Sequence, residues 1–243
     1  MAIPAKIRRF SAVVVVALAL VLVSPTGCSD DVVCGGSYLV TGVEDMGAVE
    51  RCTVIEGDLD IAGSSLADLG ALWGLREVNG CLRVAGNDGL QILQGLDGIE
   101  TIYGCIEIEH NDRLVETQAL SNLKAINGNT SVSFNASLAD VRGLINVVSI
   151  DGDLSIEQNA SLATVDGLSS LEEVTGALTI SGNDALADLN GLGALQKVGG
   201  VLRVERNRSL ATCRAQSLRD GLLAGDFAQD AVIDANDDGG SCE

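Results

Sequence analysis

The side chains with the most chemistry to offer recur at a fixed interval. Glu107, Glu109 and His110 are followed one 24-residue step later by Ser131, Ser133 and Phe134, and one step further by Ser155, Glu157 and Gln158. If residues 24 apart stack on one another, then Glu107, Glu109, His110, Phe134, Glu157 and Gln158 gather on one outward face. An exposed phenylalanine beside a histidine, an amide and carboxylates has the makings of a recognition patch for a sugar or a protein. The ring supplies apolar contact area and the polar groups fix orientation. The alternative is a solvated strand face that happens to include one aromatic. The same stacking sets Glu109 and Glu157 two strands apart, roughly 9–10 Å by strand spacing, which raises paired-carboxylate chemistry on a polysaccharide. Against catalysis, repeats this even imply no deep cleft, and there is no nucleophile–base pair, metal cluster or phosphate-binding loop. No enzymatic activity, no catalytic residue and no cofactor are therefore expected.

Two further patterns bear on metals and redox state. Asp234-x-Asn236-x-Asp238-Gly239 matches the opening of an EF-hand loop, but no glutamate stands at the twelfth position such a loop needs. Asn236 also fits the repeat described next, so calcium and other metals are not expected. Seven cysteines are present. Cys81 and Cys105 fall in the same column of adjacent repeats, where stacked strands would hold them about 4.8 Å apart, within disulfide reach. Cys34 and Cys52 bracket the segment before the first repeat, and Cys213 and Cys242 bracket the last. Three disulfides fit an oxidising, extracytoplasmic compartment. One histidine and no CxxC spacing argue against a metal site.

The element that must position these residues is the repeat itself, with consensus xGxLxIxxNxxLxxLxGLxxLxxV. Six blocks start at Asn79, Tyr103, Asn127, Asp151, Thr175 and Gly199, and residues 56–78 form an earlier block lacking one residue. Such a period means stacked supersecondary units that bury their apolar faces only against neighbours. The GxLxIxxN third alternates with period two and predicts a strand. Its inward pairs run Leu82/Val84, Ile106/Ile108, Thr130/Val132, Leu154/Ile156, Leu178/Ile180 and Leu202/Val204. Later anchors three apart, with a short GL step, suit brief strands or turns, so three sides give a coil of triangular section.

Two columns stand out. A glycine column (Gly57, Gly80, Gly104, Gly128, Gly152, Gly176, Gly200) marks a corner needing positive φ or close backbone approach. An asparagine column (Asn87, Asn111, Asn135, Asn159, Asn183, Asn207) is read as an inward hydrogen-bonded ladder. Its sequons at Asn135, Asn159 and Asn207 are discounted as glycosylation sites for that reason. Ala231-x-Ile233-x-x-Asn236 repeats the phrase and predicts a last strand closed by Cys242; Gln216–Asp226 has helical spacing and is expected to plug the final rung. Trp73 is expected to pack in the cap of the first rung.

The N-terminus reads as a targeting segment. Lys6, Arg8 and Arg9 precede a 14-residue apolar stretch, Phe10–Val23, too short for a comfortable span but apt for a signal core. Ser24-Pro25-Thr26-Gly27-Cys28 resembles the bacterial lipobox, with Pro25 where an aliphatic residue is usual. Residues 1–27 are thus expected to be a lipoprotein signal peptide, Cys28 the lipidated residue, 28–33 a short tether and 34–243 one solenoid domain. Lipidation of Cys28 leaves six cysteines to pair, and a simple secretory signal is the alternative. Removing three basic residues takes the formal charge from −19 to −22. Such a surface repels nucleic acid and anionic membranes. With aromatics at only 2%, the core must be aliphatic.

The pattern LxxV-xG-xLxIxxN-xxLxxLxGLxxL resembles the receptor L domain, the leucine-rich module of insulin and epidermal growth factor receptors. Gly36 to Val40, Glu44 to Met46 and Cys52 to Leu59 look like that family's opening cap, and the family's backward pairing of this cysteine matches Cys52 with Cys34. The resemblance runs from about Cys34 to Cys242 and implies an all-β, right-handed β-helix or solenoid of about seven to eight 24-residue rungs with disulfide-closed end caps. Receptor family members also carry a cysteine-rich region, a membrane span and a kinase, none of which is seen here, so hormone binding does not transfer. The expectation is a monomeric, lipid-anchored bacterial envelope protein at the outer membrane or cell surface, touching the membrane only through its lipid, that binds a protein or glycan. A structural envelope role is the alternative, and a polysaccharide-acting enzyme the remote one.

Overall fold

The computed structural model describes residues 31–223 and 230–242, so the signal segment 1–27 and Cys28 lie outside the described residues. Each rung begins with a four-residue strand whose period-two alternation buries every second side chain, as in Leu154–Glu157. Eight such strands and the three-residue Tyr38–Val40, running to Ala231–Asp234, form one parallel sheet in which every strand neighbours the equivalent strand of the next rung. Register follows the repeat without a slip: Ile106 lies beside Thr130 and Thr130 beside Leu154. We call this the broad sheet. Two-residue strands from Val33–Cys34 to Lys197–Val198 form a second, narrow parallel sheet of eight strands. The third side is made of 3-10 turns at Gly70–Leu72, Gln118–Leu120, Arg142–Leu144, Asp166–Leu168 and Asn190–Leu192. The protein is thus an all-β solenoid of the expected three-sided kind, with helical pieces at its ends.

Its core is a stack of aliphatic layers. Leu82, Val84, Leu90, Leu96 and Ile102 of one rung are fully buried, and the same columns repeat along the coil. Thr130 is the exception: it fills a column held by leucine or isoleucine from Leu59 to Leu202, and its Oγ1 is buried without a hydrogen-bond partner among the described residues. The corner glycines answer to crowding. A Cβ on Gly104 would sit 2.4 Å from the carbonyl carbon of Gly80, so successive rungs pass too closely for any side chain.

The asparagine column is the ladder the sequence predicts. Asn159 Oδ1 accepts from the Asn135 backbone N–H (3.0 Å) and from Asn135 Nδ2 (3.2 Å), while Asn159 Nδ2 donates to the Val132 carbonyl (2.8 Å). The same triad links Asn111, Asn135, Asn183 and Asn207. Ser64 ends the ladder on one side and Asn236 on the other. All six repeat asparagines are fully buried, so the sequons at Asn135, Asn159 and Asn207 present no accessible amide.

Disulfides join Cys34 to Cys52, Cys81 to Cys105 and Cys213 to Cys242, with Cα separations of 5.7, 4.4 and 6.2 Å. Val33 already pairs with Val54, so the first rung reaches into the stretch assigned to the tether. At the other end, Ala231–Asp234 adds the last strand beside Leu202–Glu205. The plugging helix runs Thr212–Leu223, starting four residues before the predicted Gln216, with Ala215 and Leu222 buried. Trp73 departs from its expected cap packing: it is 75% exposed. Leu69, Leu72 and Leu75 take the inward positions three apart, and Trp73 falls between two of them on the outside.

Candidate binding face

Where each broad-sheet strand ends, the backbone turns inward to deliver the ladder asparagine. That turn uses left-handed backbone, with φ of +56° at His110, +55° at Phe134, +55° at Gln158, +57° at Arg206 and +53° at Ala235. Gly63, Gly86 and Gly182 occupy the same column with φ of +59°, +65° and +69°. A left-handed residue with a Cβ costs roughly 1–2 kcal/mol; glycine adopts it freely, and asparagine, aspartate and histidine more readily than other residues. Three rungs take the relaxed choice, and four neighbours carry large side chains instead. Such outliers are where function is to be sought, because the strain persists only when something else favours the side chain.

These side chains project outward and stack along the coil. The His110 and Phe134 rings lie 4.7 Å apart, inclined by 13°, and Phe134 remains 47% exposed. On the His110 side the next rung offers only Gly86, so no side chain of the column covers that end of the pair. Gln158 follows Phe134, and its amide reaches across the next glycine, Gly182.

The predicted carboxylates divide into two groups. Glu109 and Glu157 flank Ser133 in the register of the broad sheet. Ser131 Oγ donates to Glu109 Oε1 at 2.7 Å, and Ser155 Oγ donates to Glu157 Oε1. Each carboxylate is thereby oriented by a neighbouring hydroxyl, one residue before the left-handed column. Glu107 turns the other way, to Arg83 Nε at 2.9 Å. Arg83 Nη1 also bridges Asp58 and Asp60, each at 3.0 Å. Hydrogen bonds from the Cys81 backbone N–H and then from Arg83 hold the Asp58 carboxyl below the usual carboxylate range. In the other direction Asp58 and Asp60 raise the guanidinium further above its ordinary value. Structure therefore brings Glu109, His110, Phe134, Glu157 and Gln158 together and sets Glu107 apart in an ion network.

The EF-hand-like segment is spoken for by the fold. Asn236 is buried in the ladder, Asp238 accepts from the Thr212 hydroxyl, and Asp234 accepts from the Ala235 N–H. Among the described residues no group of three His, Cys, Asp or Glu is placed to hold a metal ion, and no helix is long and apolar enough to cross a membrane. Sequence reasoning did not find the left-handed backbone of the strand-end column. The signal was there: glycine at 63, 86 and 182 in one column marks a conformation that the residues between them must share.

With this geometry in hand, part of the chain is found to match a known family. The receptor L domain family model matches residues 51–141. That stretch holds four broad-sheet strands and includes His110 and Phe134, while Gln158, Gly182 and Arg206 lie beyond it. No curated protein matches the chain. Three disulfides and the receptor L domain match together point to an extracellular location.

Proposed function

We propose that this protein is an extracytoplasmic binding module that engages a protein or glycan partner through the strand-end column of its broad sheet, with His110 and Phe134 as the central contact and Glu109, Glu157 and Gln158 as its polar rim. The observation that carries this reading is the left-handed backbone at His110, Phe134 and Gln158, a conformation that glycine fills at three other rungs. The receptor L domain match over residues 51–141 supports a ligand-binding role of the same kind. A stacked aromatic pair exposed at a rigid sheet edge offers apolar area with little ordering cost, which is the composition of an interface hot spot. We read the role as non-catalytic, which is supported by the serine hydroxyls that already engage the two carboxylates. The module is held at a bacterial membrane surface by lipid on Cys28, and changing Cys28 to alanine moves it into the soluble fraction.

Cross-linking on intact cells, comparing wild type with a His110→Ala, Phe134→Ala double variant, tests the binding role. A specific adduct formed by wild type and lost from a normally folded double variant is expected. Identical adducts from both would return the face to a structural envelope role.

A further inference from the structure

The strand-end column has a gap two rungs beyond Phe134, where Gly182 stands between Gln158 and Arg206. The gap opens a notch of about 340 Å³ lined by Gln158, Gly182, Asp184, Arg206, Arg208 and Ala235. Its chemistry differs from that of the rest of the molecule. The chain has 34 acidic and 15 basic residues, yet from Lys197 to Arg208 it carries Lys197, Arg203, Arg206 and Arg208 against Glu205 alone. Arg206 Nη1 contacts Glu205 at 3.0 Å, and Arg208 Nη1 contacts Asp184 at 3.3 Å. Each guanidinium has five N–H donors in a planar fork, so most of their donors are left over by these two ion pairs. The two side chains are 67% and 82% exposed. Gln158 Nε2 lies 2.2 Å from where a Cβ on Gly182 would sit, so the amide forms the opposite wall, and it makes no hydrogen bond within the described residues.

We infer that this notch binds the carboxylate of an acidic sugar, the uronic-acid unit of an oligosaccharide. The inference rests on the reading of the strand-end column as the partner-facing side and names its ligand. Among the residues lining the notch, Arg206 and Arg208 against Asp184 leave one net positive charge, which matches a single carboxylate better than a phosphate dianion. Guanidinium forks suit planar oxyanions in bidentate geometry. Asp184 would repel a bare anion but accepts hydrogen bonds from hydroxyls, and the Gln158 amide both donates and accepts, so a group carrying hydroxyls as well as a carboxylate fits all four polar walls. The notch is of a size with small-ligand sites. From Gly182 the column leads in two rungs, roughly 10 Å by strand spacing, to the exposed Phe134 ring, which offers an apolar face to the next sugar.

Titration calorimetry on the full chain tests this with four probes: trigalacturonate, neutral maltotriose, inorganic phosphate and an N-acetylated glutamate peptide. Trigalacturonate is expected to bind wild type at least tenfold more tightly than each of the others. Arg206→Ala and Arg208→Ala are each expected to weaken it at least tenfold. Gly182→Gln, which continues the column with the side chain that Gln158 already carries there, closes the notch with the same result. Unchanged denaturation midpoints for the two arginine variants show that the loss is local, while Gly182→Gln is expected to lower the midpoint slightly by placing a Cβ on left-handed backbone. Equal binding of maltotriose, no binding of trigalacturonate, or full affinity in the arginine variants overturns the inference. Tighter binding of the glutamate peptide overturns the sugar assignment in favour of an acidic protein. If trigalacturonate fails while Phe134-dependent cross-linking persists, the notch is wrong and the binding face stands; if both fail, the face itself is wrong.

Discussion

Two columns run side by side along this coil, one residue apart, and they follow opposite rules. The inward column is asparagine at six consecutive repeats, fully buried, with each amide tied to the rungs on either side. The outward column beside it reads Gly86, His110, Phe134, Gln158, Gly182 and Arg206, on a backbone that favours glycine throughout. Uniformity in the first is what stability alone would select, because a ladder is only as good as its least satisfied member. Variety in the second opposes local backbone energetics. The difference separates what builds the rungs from what the rungs are built to display.

Breaking the inward column has the largest effect expected. Asn159→Ala removes acceptor and donor together, leaving the Asn135 N–H unpaired in the core and stripping the Val132 carbonyl of its side-chain donor, at about 1–3 kcal/mol for the buried orphan. Chemical denaturation should show a clear fall in midpoint, and no fall would mean that the ladder is not what holds the turns. Thr130→Val works in the opposite sense on the same side of the sheet. It removes a buried hydroxyl that has no partner and keeps the shape, so it should stabilise by about 1 kcal/mol. Lower stability would show that Thr130 is satisfied by a group such as bound water. The smallest effect falls on the outward column. Gln158→Gly relieves left-handed backbone worth roughly 1–2 kcal/mol while adding unfolded-chain freedom of roughly 0.5–1 kcal/mol, so the midpoint should rise slightly. A fall in stability would mean that the column contributes to the fold and would blur the contrast between the two columns.

Much of this was legible in the sequence because a strict period fixes register. Once residues 24 apart are known to stack, the inward strand positions, the asparagine ladder and the Cys81–Cys105 contact follow from strand spacing alone. The face joining His110, Phe134 and Gln158 follows as well. Backbone conformation was harder to read. The corner glycines were open to either positive φ or crowding; crowding proves to be their reason, and the left-handed turn sits six residues later at the end of each strand. Trp73 escapes a reading by residue type because Leu69, Leu72 and Leu75 already fill the inward positions of its rung and leave the aromatic outside. Arg208 is not legible from the strand pattern because it follows the ladder asparagine in a turn, outside the alternating rows.

The account turns on whether the strained outward residues are kept for a partner. The direct measurement is a His110→Gly, Phe134→Gly double variant, which removes both rings and gives the backbone its preferred residue, assayed for denaturation midpoint and for cross-linking on intact cells. Loss of the stacked pair and relief of strain should nearly cancel in stability, so the account predicts a midpoint close to wild type and no adduct. A sharply lower midpoint, or an adduct as strong as that of wild type, would contradict it.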